Sequence, residues 1–359
     1  MTNKKRVLFI SHDPGGYNLL SAIIDEPSIV NFFDVHVLLA GHALKKNREK
    51  KLSHLIVHEI QQFPFKGYPN EWDVNMADVE TIINEVRPDV ILTGTSINSN
   101  IERYGIHIGN LLAIPTLSYI DSWIGENIRF KSALIETFPR YIMVCDEMMG
   151  ELYKGLKWAA SKIVNVGNPH LDRLCSEINT AITKIEPEEN RVLFFAENMY
   201  HYYPEGKLNE LQIIKSILEN YQSDRKIRIA IRPHPLESKD HWNKFIYEHK
   251  GSNPVIDIFL DDITSLRDSI YASSIVFGIS STALIEASIL GKKTLSYQVG
   301  INGDKELLYI PFDFFGIIEN SNLDEICAYL SNNLITDLKP CKYVFSNAIE
   351  NVKKLINIL

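Results

Sequence analysis

Short apolar runs recur along this chain, each followed by a polar loop and several of them by a helical pattern. Strands that are apolar at nearly every position have no face turned to water, so they belong in a parallel sheet with helices on both sides. The pattern therefore predicts an α/β fold of Rossmann-like type. The predicted strands of the first half are Arg6–Ser11, Val35–Ala40, Leu55–Glu59, Val90–Thr93, Thr116–Ile120 and Tyr141–Cys145.

The same pattern starts again after the polar stretch Asn179–Asn190, which we interpret as a linker. A typical domain has about 150 residues, so a chain of 359 residues has room for two. We expect an N-terminal domain in 1–180, a C-terminal domain in 191–340, and a last helix in 341–359 that packs back on the first domain. The second series predicts strands at Arg191–Ala196, Ile227–Ile231, Val255–Leu260, Ile275–Phe277 and Thr294–Tyr297, and helices from Leu208 to Leu218, at Leu266–Tyr271 and at Ala283–Leu290.

Charge and composition exclude several classes of function. The formal net charge of -8 would repel a phosphate backbone, so nucleic acid is not expected as a partner. The 4 cysteines form no Cys-x-x-Cys pair and no His-Glu-x-x-His occurs, so no zinc site is indicated. No apolar run approaches the roughly 20 residues of a membrane helix, and the first run is too short for a signal peptide. We expect a cytoplasmic protein, either free or held at the inner face of the cell membrane.

Two loops that follow predicted strands carry groups suited to a phosphate. In Arg232-Pro233-His234-Pro235, the prolines stiffen a loop that presents one guanidinium and one imidazole, a natural anion clamp. The alternative is a rigid turn with a surface histidine.

The second loop, Gly278-Ile279-Ser280-Ser281-Thr282, places three hydroxyl residues at the start of a predicted helix, where a phosphate is well held. Glu286 follows one turn later and is suited to the hydroxyls of a ribose. The alternatives are ordinary N-capping for the serines and a solvated helix position for Glu286.

These motifs, in this order, resemble those of the GT-B glycosyltransferases of bacterial surface polysaccharides. Leu290-Gly291-Lys292-Lys293 and the stretch Val166–Leu174 (Val-Gly-Asn-Pro-His-Leu-Asp-Arg-Leu) add to the resemblance. The His-Pro motif followed by Ser-Ser is similar to the sialyltransferase, polysialyltransferase and Kdo transferase group, which uses CMP-activated sugars. CDP-glycerol glycerophosphotransferases share similar features.

The resemblance implies two Rossmann-like domains facing each other across a cleft. It also implies that His234, Ser280 and Ser281 hold the donor phosphate and that Glu286 holds the ribose.

The N-terminal half is then expected to supply the acceptor site and the catalytic base. The loop after the first strand contains Asp13, Gly15, Gly16 and Asn18, and paired glycines permit close approach of a ligand. Asp13 is the first candidate for the carboxylate that deprotonates an acceptor hydroxyl, and an Asx-type turn is the alternative.

A second loop, Tyr119-Ile120-Asp121-Ser122-Trp123, adds a further candidate base and a sugar-stacking surface. Asp121 is the candidate base, and Trp123 is suited to stacking against a sugar. Core packing is the alternative for Trp123.

One departure from the family concerns the base. Sialyltransferases of this kind carry an Asp/Glu-Asp/Glu-Gly motif for the catalytic base. The motif is missing here, so neither the position of the base nor sialic acid as the sugar follows from the resemblance. Glu197, at the end of the strand that begins at Arg191, is expected to contact the donor or the base. No Asp-x-Asp pair occurs, so we expect a metal-independent reaction with no cofactor.

The sequence thus predicts a glycosyltransferase that moves a sugar, a nonulosonic acid or Kdo, from a CMP-activated donor to a bacterial surface glycan, with inversion. Two other enzymes remain open: a CDP-glycerol-type glycerophosphotransferase and a non-hydrolysing UDP-sugar 2-epimerase. An epimerase would convert a free nucleotide sugar without any acceptor. A two-lobed protein that binds a small molecule without chemistry is the non-enzyme alternative.

Overall fold

The computed structural model describes residues 4–50, 55–65, 71–123, 128–154, 161–178, 185–197, 199, 209–235, 237–297, 312–320, 322–332 and 341–359. The chain divides into two units, which we describe separately. Unit 1 consists of Met1–Arg173 and Phe345–Leu359, and unit 2 consists of Leu174–Val344. Each unit has its own parallel sheet and its own hydrophobic core.

Strands and helices alternate through the first half of the chain. In chain order the elements are β1 (Arg6–Ser11), α1 (Pro14–Ile24), α2 (Pro27–Val30), β2 (Asp34–Leu39), α3 (Gly41–Lys50), β3 (Ile56–Glu59), β4 (Gln62–Phe65), β5 (Glu71–Val74), α4 (Met76–Val86), β6 (Val90–Thr93), α5 (Ile101–Leu111), β7 (Thr116–Tyr119), β8 (Tyr141–Val144), α6 (Glu147–Lys154), β9 (Lys162–Asn165) and α7 (Pro169–Ile178).

The alternation continues through the second half. Its elements are β10 (Glu188–Phe195), α8 (Glu210–Asn220), β11 (Ile227–Arg232), α9 (Asp240–His249), β12 (Ile256–Leu260), α10 (Leu266–Ala272), β13 (Ser273–Gly278), α11 (Ala283–Ile289), β14 (Lys293–Tyr297), a 3₁₀ turn (Phe312–Phe315), β15 (Ile318–Asn320), α12 (Leu323–Asn332) and α13 (Ala348–Ile358).

Both sheets are doubly wound. Within the described ranges, the strand order is β3-β2-β1-β6-β7-β8-β9 in unit 1 and β12-β11-β10-β13-β14-β15 in unit 2, with parallel pairing throughout. In each unit the first strand lies near the middle of the sheet. The next two strands extend the sheet on one side, and the remaining strands extend it on the other. The order reverses between β1 and β6 and between β10 and β13. Ligands of open α/β sheets bind outside the carboxyl ends of the strands at such a point.

Burial explains why the apolar runs form these strands. Val7, Leu8, Phe9 and Ile10 of β1 are all fully buried, which is possible only in a strand covered on both faces. In unit 2 the ring of Phe194 packs against those of Trp242 and Phe277, with centroid distances of 6.3 and 5.2 Å. Helices therefore cover both sheets, as the apolar pattern predicts.

The structure differs from the sequence prediction at the linker and at the sheet edges. Residues 188–190 do not belong to a linker but begin β10, where Glu188 pairs with Ser273 and its carboxylate accepts a hydrogen bond from Arg228 at 2.6 Å. The rest of the stretch, through residue 184, and the predicted helix start at Leu208 lie outside the described residues. The strands that the sequence did not predict are β4, β5, β9 and β15.

Helix α13 belongs to unit 1. The buried carboxylate of Asp172 accepts hydrogen bonds from the Ser346 N–H, the Ser346 hydroxyl and the Ala348 N–H at 2.8, 2.8 and 2.9 Å. At the other end of the helix, the Lys5 ammonium donates to the Ile356 carbonyl at 3.1 Å. In the described part of the chain, no helix combines the length and the apolar character needed to cross a membrane.

Candidate functional site

Glu197 lies at the point of unit 2 where the strand order reverses. It follows β10, and its carboxylate reaches the loop after the neighbouring strand β13. Oε1 accepts hydrogen bonds from the N–H groups of Ile279 and Ser280 at 3.1 and 2.7 Å, and Oε2 accepts one from the Ser280 hydroxyl at 2.5 Å. The Ser280 side chain, which we predicted at the donor phosphate, is therefore bonded to a carboxylate of the protein itself.

A second buried carboxylate supports this arrangement. Glu210, in the first turn of α8, is fully buried, and its Oε1 accepts hydrogen bonds from the Glu197 and Met199 N–H groups at 2.8 Å each. Burial, with the nearby charge of Glu210, raises the pKa of Glu197 to about 7, against the opposing effect of its hydrogen bonds to Ser280 and Ile279. Glu197 is thus able to exchange a proton near neutral pH.

His234 follows β11, the strand beside β10. The backbone N–H of His234 donates to Glu237 Oε2 at 3.0 Å, while Glu237 Oε1 accepts a hydrogen bond from the Trp242 indole at 2.9 Å. Burial raises the pKa of Glu237 to about 7. The half-buried His234 therefore stands on a loop that is held to α9, two strands away from the Ser280 loop.

Arg232, which we predicted as part of an anion clamp, forms an ion pair inside the protein. Its guanidinium donates to Asp261 Oδ2 at 2.5 Å and to the carbonyls of Ile263 and Thr264 at 2.7 and 3.0 Å. Asp261 is buried and also accepts a hydrogen bond from Arg191 at 2.7 Å. Arg232 therefore ties the end of β11 to the loop after β12, because the buried Asp261 carboxylate needs cationic partners.

The remaining predicted donor residues lie around the start of α11. The Ser281 hydroxyl accepts a hydrogen bond from the Ala283 N–H at 3.3 Å. Thr282 is exposed and makes no capping hydrogen bond with its side chain, and Glu286 is half-buried in the helix. Asn198, which follows Glu197 in the sequence, lies outside the described residues.

In unit 1 the corresponding point carries His12 and Asp13. His12 Nδ1 lies 2.7 Å from Asp13 Oδ1, and Asp13 Oδ2 accepts hydrogen bonds from the Ile97 N–H and the Asn98 amide at 3.2 and 3.4 Å. Burial alone would raise the pKa of Asp13, but the hydrogen bond and charge of His12 and hydrogen bonds from Ser96 and Ile97 lower it. Asp13 is therefore ionised at neutral pH.

The His12 ring is buried. Its burial alone would lower the pKa of His12, but Asp13, Glu102 and Asp73 raise it. A Cβ on Gly41, where φ is +53, would lie 2.4 Å from His12 Nε2. The ring therefore balances the charge of Asp13, whose side chain is the more exposed of the two, at 14% against 7%.

Two further buried carboxylates lie behind this pair. Glu102 in α5 is 2% exposed and accepts the His12 N–H at 2.9 Å through Oε1, whereas its Oε2 has no hydrogen-bond partner among the described residues. Burial raises the pKa of Glu102 to about 8. Asp73 accepts hydrogen bonds from the Asn100 N–H and side-chain amide at 3.0 and 2.7 Å, which holds the loop after β6.

Asp121, the second candidate base, is engaged on both oxygens. Oδ1 accepts a hydrogen bond from the buried Arg129 guanidinium at 2.5 Å. Oδ2 packs against Gly15, where an added Cβ would come within 1.8 Å of it. Asp121 therefore anchors Arg129 and the first turn of α1, and Asp13 remains the better candidate.

The structure corrects the predicted roles of the glycine pair and of Trp123. The space beside Gly15 is filled by Asp121, and a Cβ on Gly16 would lie 3.2 Å from the Gly94 Cα, so both glycines permit close approach of the chain itself. Asn18 is half-buried in α1. Trp123 is 2% exposed and donates its indole N–H to Asp146 at 3.4 Å, so it packs in the core and offers no stacking surface.

Among the buried acids that sequence reasoning missed are three glutamates, Glu102, Glu210 and Glu237. None of them follows an apolar strand, and each looks like an ordinary surface glutamate in the sequence. His12 was also missed, although its position next to Asp13 at the end of β1 could have indicated that the two side chains interact. In the described ranges, no cluster of three or more His, Cys, Asp or Glu side chains is suited to a metal ion.

Comparison with known proteins places the fold. No protein-family model and no curated protein matches the sequence. Among solved structures, the UDP-GlcNAc 2-epimerase from Methanocaldococcus jannaschii in complex with UDP-GlcNAc and UDP matches with a TM-score of 0.66 and 16% identity, covering 98% of this chain and 99% of that chain.

Two further structures match over nearly their whole length. A putative UDP-N-acetylglucosamine 2-epimerase from Listeria monocytogenes has a TM-score of 0.64 and 13% identity, with 98% of this chain and 95% of that chain covered. MurG from Acinetobacter baumannii has a TM-score of 0.57 and 12% identity, with 99% and 100% covered. The chain has the GT-B fold. Its two Rossmann-like α/β domains confirm the predicted fold class, and at these identities the likeness shows the fold alone.

Proposed function

We propose that the protein is a glycosyltransferase that takes a sugar, a nonulosonic acid or Kdo, from a CMP-activated donor and transfers it to a bacterial surface glycan. The observation that carries the proposal is the grouping of His234, Glu197 and Ser280 at the carboxyl ends of the adjacent strands β11, β10 and β13. This is the end of a doubly wound sheet where nucleotides bind. The motif resemblance to CMP-sugar enzymes supports the choice of donor.

On the donor side, His234 donates to the leaving phosphate and Ser281 adds a hydroxyl at the start of α11. Glu286 takes the ribose hydroxyls. Arg232 contributes by holding the β11 loop through Asp261, so that His234 keeps its position. CMP leaves without a metal, since hydrogen bonds from His234 and Ser281 balance the negative charge that develops on its phosphate.

On the acceptor side, Asp13 is the base. It is ionised and more exposed than its partner His12, so it is ready to accept a proton from an acceptor hydroxyl. That proton becomes acidic as the new glycosidic bond forms, so a carboxylate of low pKa suffices. His12 stays bonded to Asp13 Oδ1 and keeps the carboxylate oriented.

A UDP-sugar 2-epimerase is the second candidate, because several of the similar solved structures are named as UDP-GlcNAc 2-epimerases. The two functions differ in their need for an acceptor. An epimerase would convert UDP-GlcNAc alone, which is followed by NMR of the anomeric proton. A glycosyltransferase would leave it unchanged.

A thermal-shift panel of CMP, CDP, UMP, UDP and GDP tests the proposal, because a ligand that binds the native state raises its apparent stability. We expect cytidine nucleotides to stabilise the protein and His234→Ala to lose that stabilisation. Stabilisation by UDP and not by cytidine nucleotides, together with conversion of UDP-GlcNAc, would contradict the proposal in favour of the epimerase.

A further inference from the structure

Three hydrogen-bond donors in unit 2 converge on one carboxyl group. They are the N–H groups of Ile279 and Ser280 and the Ser280 hydroxyl, at 3.1, 2.7 and 2.5 Å from the Glu197 carboxylate. All three belong to the loop after β13, whereas Glu197 follows β10, so the carboxylate bridges the two strands between which the strand order reverses.

Such a set of donors is suited to a phosphate. Two consecutive backbone amides and a hydroxyl aimed at one point are the arrangement that proteins use to bind phosphoryl oxygens. A carboxyl group offers two oxygens to the same hydrogen-bond donors. Glu197 therefore stands where a phosphate of a nucleotide would find the same three donors.

We propose that Glu197 occupies the phosphate site at the Ile279 and Ser280 amides and the Ser280 hydroxyl until a nucleotide phosphate displaces it. The inference rests on the proposed nucleotide binding and adds to it a competition inside the protein. Because one set of donors cannot serve both the Glu197 carboxyl and a phosphate, each nucleotide that binds must release the carboxyl from the loop.

The groups around Glu197 give the displacement a measurable signature. Glu210 faces it from α8, and the β11 loop beside it carries His234 and Glu237. While Glu197 occupies the site, burial and the charge of Glu210 raise its pKa to about 7 from the usual 4.5. A carboxyl displaced into water returns toward its usual pKa, so nucleotide binding releases a proton at any pH between these two values.

Calorimetric titration of CMP at pH 6, in two buffers of different ionisation enthalpy, measures this proton. We expect the wild type to release about 0.9 proton more than Glu197→Gln, because glutamine keeps the shape of the side chain but does not titrate. The titration of the CMP phosphate itself is common to both proteins and cancels in the difference. Glu188→Gln, at the opposite end of β10 in an exposed ion pair, serves as the matched control and should release as much as the wild type.

A second variant tests the competition directly. Glu197→Ala removes the competing carboxylate, so CMP and inorganic phosphate should bind about tenfold more tightly than to the wild type. If Glu197→Ala does not fold, the proton measurement on Glu197→Gln decides alone.

Equal proton release by wild type and Glu197→Gln, with CMP binding intact in both, would overturn the competition and leave the proposed nucleotide binding standing. Weaker binding of CMP to a folded Glu197→Ala would also overturn it, since Glu197 would then support the site. If folded wild type and both folded variants fail to bind CMP, the proposed function fails, and this inference fails with it.

Discussion

Replacing Glu102 by glutamine tests whether the buried carboxyl behind His12 is uncharged in the folded protein at neutral pH. Burial raises its pKa to about 8 from the usual 4.5. The unfolded chain therefore loses this proton at lower pH than the folded protein does, so stability is highest below about 4.5 and falls as the pH rises through 8. Glutamine accepts the same hydrogen bond from the His12 N–H but carries no proton to lose.

The size of the effect follows from the same two pKa values. Between pH 5 and pH 8 the wild type should lose about 3–4 kcal/mol of unfolding free energy relative to Glu102→Gln, at about 1.4 kcal/mol per pH unit. The assay is hydrogen exchange of the β1 and β6 amides at several pH values, which reports on unit 1 by itself. Glu80→Gln changes an exposed glutamate on the adjacent helix α4 and serves as the control. Its difference in unfolding free energy from the wild type should not grow between pH 5 and pH 8. A difference between wild type and Glu102→Gln that stays constant with pH would refute the reasoning.

Three further predictions follow from the contacts of both units. Asp13→Asn should lower the rate of sugar transfer about 100-fold and leave nucleotide affinity unchanged, as measured by kinetics and by calorimetry respectively. Full activity of this variant would exclude Asp13 as the base. Gly15→Ala should cost about 2–3 kcal/mol in thermal unfolding because its Cβ meets Asp121. Gly150→Ala in helix α6, where the nearest atom to an added Cβ is Val144 Cγ2 at 3.6 Å, should gain about 0.5–1 kcal/mol. Asp261→Asn should cost about 3–5 kcal/mol in denaturant unfolding, because it leaves the buried Arg191 without its anionic partner; a loss below about 1 kcal/mol would contradict this.

The central strands were predictable because strands buried on both faces are short runs of apolar residues bounded by polar loops. Val90–Thr93 has the bounds that its apolar run predicts, since both of its faces are covered. The missed strands lie at edges or outside the main sheets. β9 (Lys162–Asn165) pairs on one side only and carries polar residues at both ends, and β4 contains a proline, which argues against a strand.

The chemistry of the site was only partly predictable. Strand ends mark where polar residues gather, which is why the sequence could place Asp13, Glu197 and Ser280 just after β1, β10 and β13. Their partners were not, because hydrogen bonds such as that between Glu197 and the Ser280 N–H join loops far apart in the chain. Arg232 shows the consequence, since its pattern indicates part of an anion clamp and only the position of Asp261 reveals an ion pair.

The most direct test of a nucleotide site in unit 2 is an amide NMR titration of the ¹⁵N-labelled protein with CMP. The account predicts saturable shifts of the Ile279 and Ser280 amide signals, because a phosphate replaces the Glu197 carboxylate that these N–H groups now contact. His234→Ala should weaken the same titration without changing the spectrum of the free protein elsewhere. If millimolar CMP leaves the Ile279 and Ser280 signals unmoved, the proposed phosphate site is contradicted.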